Sequence, residues 1–443
     1  MTSVLNIDPN VKREKNLLLH EKANMTEQQW NKAIKFDSVD LGWIVMSIGM
    51  AIGAGIVFLP VQVGIMGLWV FLLSAIIGYP AMYLFQKLFI NTLAESKTCS
   101  DYPSIISGYL GKNWGIVLGI LYFIMLVIWV LIYSLSITND SASYLYTFGV
   151  TETHLNNNVF YGLALLCGLV FIASKGEKLL FKISGTMAVI VLILIAVMGV
   201  LLISRWDLAN IPELGTWTSM LKDAIITLPF TLTSILFIQS LSPMVISYRS
   251  HEKSIEVARY KASRAMKIAF SILFVIVFFF AVSFTLAISQ EQAIDAMHKN
   301  ISALAIIALY FPGSWATITG VVINIFAVVT SFFGVYLAFQ EACRGIAMNV
   351  LRRKFSEESI NLKLMRRSVT IFIILLAWAT TATNAPILSF TSICSPVFGL
   401  VGCLIPAYLV YRVPHLAKYK GMSTNLIIVT GILLCISPLL AFI

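Results

Sequence analysis

Apolar residues in this chain come in long, nearly unbroken blocks instead of alternating with polar ones. Crossing roughly 30 Å of hydrocarbon as a helix takes about 20 residues. Eleven blocks approach or exceed that length, at 41–60, 66–92, 114–138, 159–174, 180–203, 223–247, 267–288, 315–341, 367–384, 387–411 and 424–443. Lipid offers no water to an open N–H or C=O, so each block is expected to be a transmembrane helix. The fourth is the shortest, and only Lys175-Gly176-Glu177-Lys178 parts it from the fifth.

Two blocks are interrupted. The first carries Gly49, Gly53 and Gly55 ahead of Pro60. Glycine weakens a helix and tolerates backbone angles other residues resist. Gly53 and Gly55 lie about 12 to 14 residues into the block, roughly 18–21 Å from its start and close to the bilayer midplane. The sixth block holds Pro229, Ser234, Gln239, Ser240 and then Ser242-Pro243. Ser-Pro reads as a helix cap and first helical residue, so a new half-helix is expected from Ser242, with 237–240 unwound. Gly49/Gly53 and Ala51/Gly55 are also small-x-x-x-small pairs, which let helices pack closely with no ligand. The second break, five spans later, favours a binding site over packing alone. Five is odd, so the second half enters the membrane inverted. Paired broken helices in inverted repeats mark secondary transporters with a substrate site between the breaks. The expected organisation is an N-terminal segment (1–40), a first repeat (41–203), an external connection (204–222), a second repeat (223–411) and a loop with an accessory eleventh helix (412–443).

Composition agrees with an all-α polytopic membrane protein: of 443 residues, 58% are hydrophobic and 12% charged. The net charge of +10 could suggest nucleic acid, but topology accounts for it. With a cytoplasmic N-terminus, every one of the 31 Lys and Arg except Arg205, Lys222 and Lys299 falls on the cytoplasmic side, as basic residues do. The basic loops Arg249–Lys267 and Arg344–Arg367 are expected to be topogenic and to lie near anionic lipid headgroups. No signal peptide is expected in the first 40 residues. The six cysteines are scattered without metal-ligand spacing. No H-E-x-x-H, G-x-S-x-G or paired carboxylate falls in the spans, so neither an enzyme nor a cofactor is implied.

The chain resembles the hydroxy and aromatic amino acid permeases, and within them the serine/threonine branch of the bacterial inner membrane. The resemblance runs from about Lys35 onward and rests on Gly49 to Pro60, on Tyr102 to Gly111, on Ser242-Pro243 and on Thr330-Ser331 with Gly334. It implies a LeuT-like core of two inverted five-helix repeats and secondary active uptake of a small amino acid, serine above all. Serine permeases carry Asn-His just before the Ser-Pro; here Ser240-Leu241 stands there, so no coupling role of that histidine transfers.

An amino acid zwitterion suits these elements. Its carboxylate needs donors and positive potential, available at the helix start near Gly53, Ala54, Gly55 and Ile56. Its ammonium needs acceptors, and the carbonyls of Ala51, Ile52 and Phe237 to Ser240 are candidates. For a substrate hydroxyl, the polar candidates are Ser234, Gln239, Ser240 and Ser242, with Gln239 first. Tyr133 is either a second carboxylate partner or an interfacial tyrosine. The coupling cation is open. The centres of the spans hold almost no carboxylate, and all five histidines lie in tails or loops. Asn324 and Ser331, seven residues apart, share a face with Thr330 alongside. The hydroxyls of Thr330 and Ser331, with first-span carbonyls, could hold sodium, or could bond back to their own helix. Lys182 is either a titrating amine or a snorkelling lysine. The resemblance favours protons. Helical spacing of Ile294, Met297, Ile301, Leu304 and Ala308 predicts an external amphipathic helix, serving as a lid or lying on the membrane. An aromatic amino acid permease and, more remotely, an ion channel are the alternatives.

Overall fold

The structure, a computed structural model, describes residues 20–21, 23–96, 102–173, 177–310, 314–351, 361–383 and 386–442, and among these it is helical without strands. Eight helices are long and apolar enough to cross a membrane, and Trp217–Thr233 with Ile238–His251 forms a ninth, bent by 41°. Shorter apolar helices, Ser38–Ala51 and Val159–Ala173, stand where the first and fourth blocks lie. The chain is a polytopic membrane protein.

The first span is two helices, Ser38–Ala51 and Ala54–Met66, separated only by Ile52 and Gly53. Asp37 starts the first half with a capping box, its side chain accepting the Val39 and Asp40 N–H groups while the Asp40 carboxylate accepts the Asp37 N–H. The second half continues to Met66, past the expected end at Pro60, and Gly67 alone, at φ 91, separates it from the second span, Leu68–Ala94.

The third span, Lys112–Thr147, also outruns its apolar block. The polar run from Thr138 to Ser141 looks like a membrane exit, yet the helix carries it onward. The hydroxyls of Thr138 and Ser141 bond back to Ser134 O (2.8 Å) and Ile137 O (2.5 Å), so burial leaves them satisfied. The fifth span is Glu177–Leu202, the seventh Ile255–Ala287, the eighth Ser314–Leu351 and the ninth Leu362–Thr383. The tenth runs Ile387–Phe398, a wider π turn Gly399–Leu404 and Ile405–Arg412. At that turn Gly399 packs against the Gly431 carbonyl of the eleventh span, Met422–Phe442.

In the sixth span the expected half-helix start at Ser242 is corrected. The break lies at 234–237 and the second half begins at Ile238, with Phe237 as its cap residue. Pro243 therefore sits inside the helix, where its missing N–H leaves the Gln239 carbonyl without its helical donor.

The face carrying the N-terminus is held by charge pairs. Asp40, fully buried, accepts from Arg264 (2.7 Å) and Tyr248 (2.7 Å); Lys261 bridges Asp37 (3.0 Å) and Glu252 (2.8 Å). Glu95 meets Arg259 and Lys418, each at 2.6 Å. So Arg259, Lys261 and Arg264, expected to be topogenic and near lipid headgroups, have carboxylate partners within the protein. At the opposite face the segment expected to be external is two helices, not one: Gln290–His298 and Ala303–Tyr310, joined through Asn300 at φ 52. Ala293 of the former packs closely on Gly64, and Ala303 to Ala308 of the latter are all buried.

Candidate functional site

The two helix breaks adjoin a cavity of about 800 Å³. Along the first span its wall runs from Ala51, 3% exposed, to Leu41, 54% exposed, and Ser38. The cavity thus opens toward the N-terminal face. Beyond the break Phe58, Leu59 and Val63 are buried, so the opposite face is closed.

At the first break the glycine acts through space, not through backbone freedom. Gly53 has φ −161, an extended angle open to any residue. A Cβ there would land on the Tyr133 hydroxyl and 2.6 Å from Ser331 Oγ, so its absence lets spans one, three and eight converge. Ser331 donates to the Ile52 carbonyl at 2.8 Å. The inner half-helix, ending at Ala51, leaves its last carbonyls without helical donors, and Gly49, Met50 and Ala51 line the cavity. The outer half starts at Ala54, so the N–H groups of Ala54, Gly55 and Ile56 belong to an uncapped first turn with positive potential. The side chains of Ala54 and Ile56 lie outside the described residues.

At the second break Gln239 lines the cavity with its Oε1 buried and unpartnered. Such an acceptor costs about 1–3 kcal/mol unless something donates to it. Trp129, also in the wall, holds an equally buried and unpartnered indole N–H and stacks on Tyr133 with ring centroids 5.5 Å apart. One acceptor and one donor without partners thus belong to the wall of a single cavity.

No family model matches the chain. A serine transporter of Escherichia coli O157:H7 is 67% identical over 424 residues, covering 95% of this chain and 96% of the relative. The chain belongs to the family of bacterial serine transporters. A probable serine transporter of Escherichia coli K12 matches equally, and the serine transporter SdaC of K12 is 25% identical over 407 residues, covering 90% of this chain and 94% of its own. Among solved structures, MhsT in complex with L-phenylalanine superposes with a TM-score of 0.57 at 15% identity, covering 91% of this chain and 97% of that one. The fold is therefore that of LeuT-like transporters, and family membership makes the chain an amino acid transporter, not an enzyme.

The remaining candidates divide. Ala51, Tyr133, Gln239, Thr330 and Ser331 line the cavity, and Ile52 and Gly53 form the break beside it. Ser240 does not line it: its hydroxyl donates to Phe237 O (2.8 Å) and meets Ser47 Oγ (2.9 Å), joining the inner halves of spans one and six and occupying the Phe237 carbonyl. Ser234 turns toward the second span, bonded to Thr231 O (2.7 Å) and reaching Tyr79 (3.5 Å). Ser242 is half-buried within the second half-helix. Thr330 bonds back to Phe326 O (2.6 Å) and Ala327 O (3.1 Å), leaving Ser331 as the hydroxyl that reaches across. Asn324 is directed elsewhere, to Asp140. Lys182 stands in the fifth span, with its side chain outside the described residues.

Sequence reasoning missed Trp129 and Asp140. Trp129 precedes Tyr133 by one helical turn and so shares its face, a signal that was available. Asp140 was hidden by ending the third block at 138.

Proposed function

We propose that the chain imports a small hydroxy amino acid, serine in its L and D forms and also threonine, by alternating access with a symported cation, the proton. The observation that carries this reading is Gln239, whose unpartnered Oε1 belongs to a cavity lined by the helix ends of the first break and by Trp129. A zwitterion offers the matching set. Its carboxylate meets the first turn at Ala54 to Ile56 and the Tyr133 hydroxyl. Its ammonium meets the carbonyls that end the inner half of span one, and its hydroxyl donates to Gln239. Ser331 and the Ile52 carbonyl form the nearest pair for a small cation, which keeps sodium as the competing ion.

The distribution of basic residues supports a cytoplasmic N-terminus and, with eleven spans, a periplasmic C-terminus, in the bacterial inner membrane. In that orientation the cavity opens inward and the two short helices close the outside. The breaks in spans one and six support 41–203 and 223–411 as the inverted repeats, with 412–443 as an addition.

The test is uptake of radiolabelled serine into proteoliposomes under an inward proton gradient, an inward sodium gradient or neither, with unlabelled D-serine, threonine, tyrosine and tryptophan as competitors. Accumulation driven by protons and competed by D-serine and threonine is expected. Sodium-driven accumulation would replace the cation; competition by tyrosine and tryptophan alone would make this an aromatic amino acid permease. Passive ion flux without accumulation would make it a channel.

A further inference from the structure

Asp140 is a buried carboxylate that the substrate cavity does not use. It stands seven residues beyond Tyr133, roughly 10 Å farther toward the outer face at 1.5 Å per residue. Among the described residues the buried charged side chains are Asp40, Asp140 and Lys261, and the first and last are ion-paired. Asp140, 2% exposed, bonds only to neutral donors. Its Oδ1 accepts the Ser302 N–H (2.9 Å), and its Oδ2 accepts from Asn324 Nδ2 (2.6 Å) and from the Ser136 hydroxyl (3.4 Å). A charge held away from water without a counter-charge is costly, and such groups inside a membrane mark function.

These donors come from different elements: Ser136 from span three, Asn324 from span eight, and Ser302 from the edge of the Ala303–Tyr310 helix. Asn324 also donates to Ser302 Oγ (2.9 Å), which accepts the Ala305 N–H (3.3 Å). The carboxylate therefore ties the outer lid to two transmembrane helices, at the helix end where negative charge is favoured. The titratable neighbour is Tyr144, whose hydroxyl lies 3.1 Å from Asn324 Nδ2 and donates to Gly320 O (3.3 Å). Tyr161, from span four, donates to Ser141. On the preceding lid helix Asp295 is engaged by Lys299 and Tyr310, with Glu291 and His298 near it. None of these bonds to Asp140.

We propose that Asp140 is a proton-binding latch of the outer gate: ionised, it holds the Ala303–Tyr310 helix shut, and one proton taken from outside releases it. This rests on the orientation and transport function proposed above. The step is COO⁻ plus H⁺ to COOH, with no other bond made or broken covalently. Both oxygens face donors, so a proton on either sets donor against donor and removes the charge that strengthens those bonds.

The test is the external-pH profile of serine uptake, with serine exchange at equal inside and outside pH as the control for a folded, working carrier. Wild-type uptake falls as external pH rises, by up to about tenfold per pH unit for one titrating group. Asp140→Asn, isosteric and permanently neutral, exchanges serine but loses the slope, and Asp140→Glu retains it. A wild-type slope in Asp140→Asn overturns the latch. Should that variant fail to exchange, Asn324→Ala decides. Removing one donor weakens the latch, so the midpoint of the profile moves up by about one pH unit; an unmoved midpoint overturns the proposal. If the wild type carries no serine at all, the functional reading fails separately. The latch is then read from Ala305→Cys: because the thiolate is the reacting form, labelling by an impermeant maleimide is taken above the wild-type background and relative to free glutathione at the same pH, and this ratio rises on external acidification if the latch exists and stays constant if it does not.

Discussion

Gln239 and Gly53 show opposite ways in which a single residue belongs to a site. The Gln239 acceptor is buried without a partner, which weakens the empty protein, and in the proposed function the substrate hydroxyl satisfies it. Gln239→Leu is therefore expected to unfold at the same or a slightly higher temperature while serine KM rises about tenfold or more, the loss of one good hydrogen bond. A lower melting temperature with unchanged KM would make Gln239 structural. Gly53 instead leaves room for the Tyr133 and Ser331 oxygens. Gly53→Ala is expected to cost about 1–3 kcal/mol through overpacking and to abolish uptake without preventing membrane insertion. Normal uptake by this variant would show that the three spans need not meet so closely. Gln239 was legible from the sequence because it is a polar residue in an apolar block. The roles of Ser234 and Ser240 were not, because which way a hydroxyl turns depends on neighbours 155 or more residues distant, Tyr79 for Ser234 and Ser47 for Ser240.

In the proposed transport cycle, helices and half-helices carry the gating. The inner half of span one lines an open passage, whereas its outer half is buried beneath Gln290–His298, with Gly64 against Ala293. A Cβ on Gly64 would come within 2.8 Å of the Ala293 Cβ. Gly64→Leu is thus expected to hold the lid away from span one, so that purified protein still binds serine but no longer exchanges it across a membrane. Retained exchange would show that this contact is not part of closure. The break in span one was read correctly to within a residue or two, because glycines concentrate where the helix stops. That in span six was placed three to four residues late. Ser-Pro is a valid helix start in isolation, yet a proline is tolerated inside a membrane helix when surrounding helices satisfy the carbonyl it frees. Here Phe237 caps the second half through its carbonyl and Ser240, a feature without a strong sequence signature.

For the molecule as a whole, three carboxyls outside the membrane give its stability a pH dependence. Burial raises the proton affinity of Asp37, Glu95 and Asp295, but this is outweighed by hydrogen bonds and charge from Lys261 and the backbone, from Lys418, Tyr419 and Arg259, and from Lys299 and Tyr310 respectively. All three end below their ordinary values of 3.8, 4.5 and 3.8. Depressed acids contribute stability that is complete above the unfolded value and is lost as pH falls through the folded one. The melting temperature in detergent is therefore expected to drop below about pH 4, and to drop less in Asp37→Asn/Glu95→Gln/Asp295→Asn. An identical acid limb in that variant would assign it to other groups. Sequence by itself determined the class, the number and order of apolar blocks, the pairing of breaks in the first and sixth, and Gln239 and Tyr133 as candidates. Those properties follow from local composition and from the bilayer's refusal of unpaired backbone. Only the tertiary structure decided that Asp140 is buried, that Thr330 bonds back while Ser331 reaches Ile52, and that the cavity is open on one face. Each of these depends on which distant helix supplies a partner, and hydrophobic patterning carries no information about that choice.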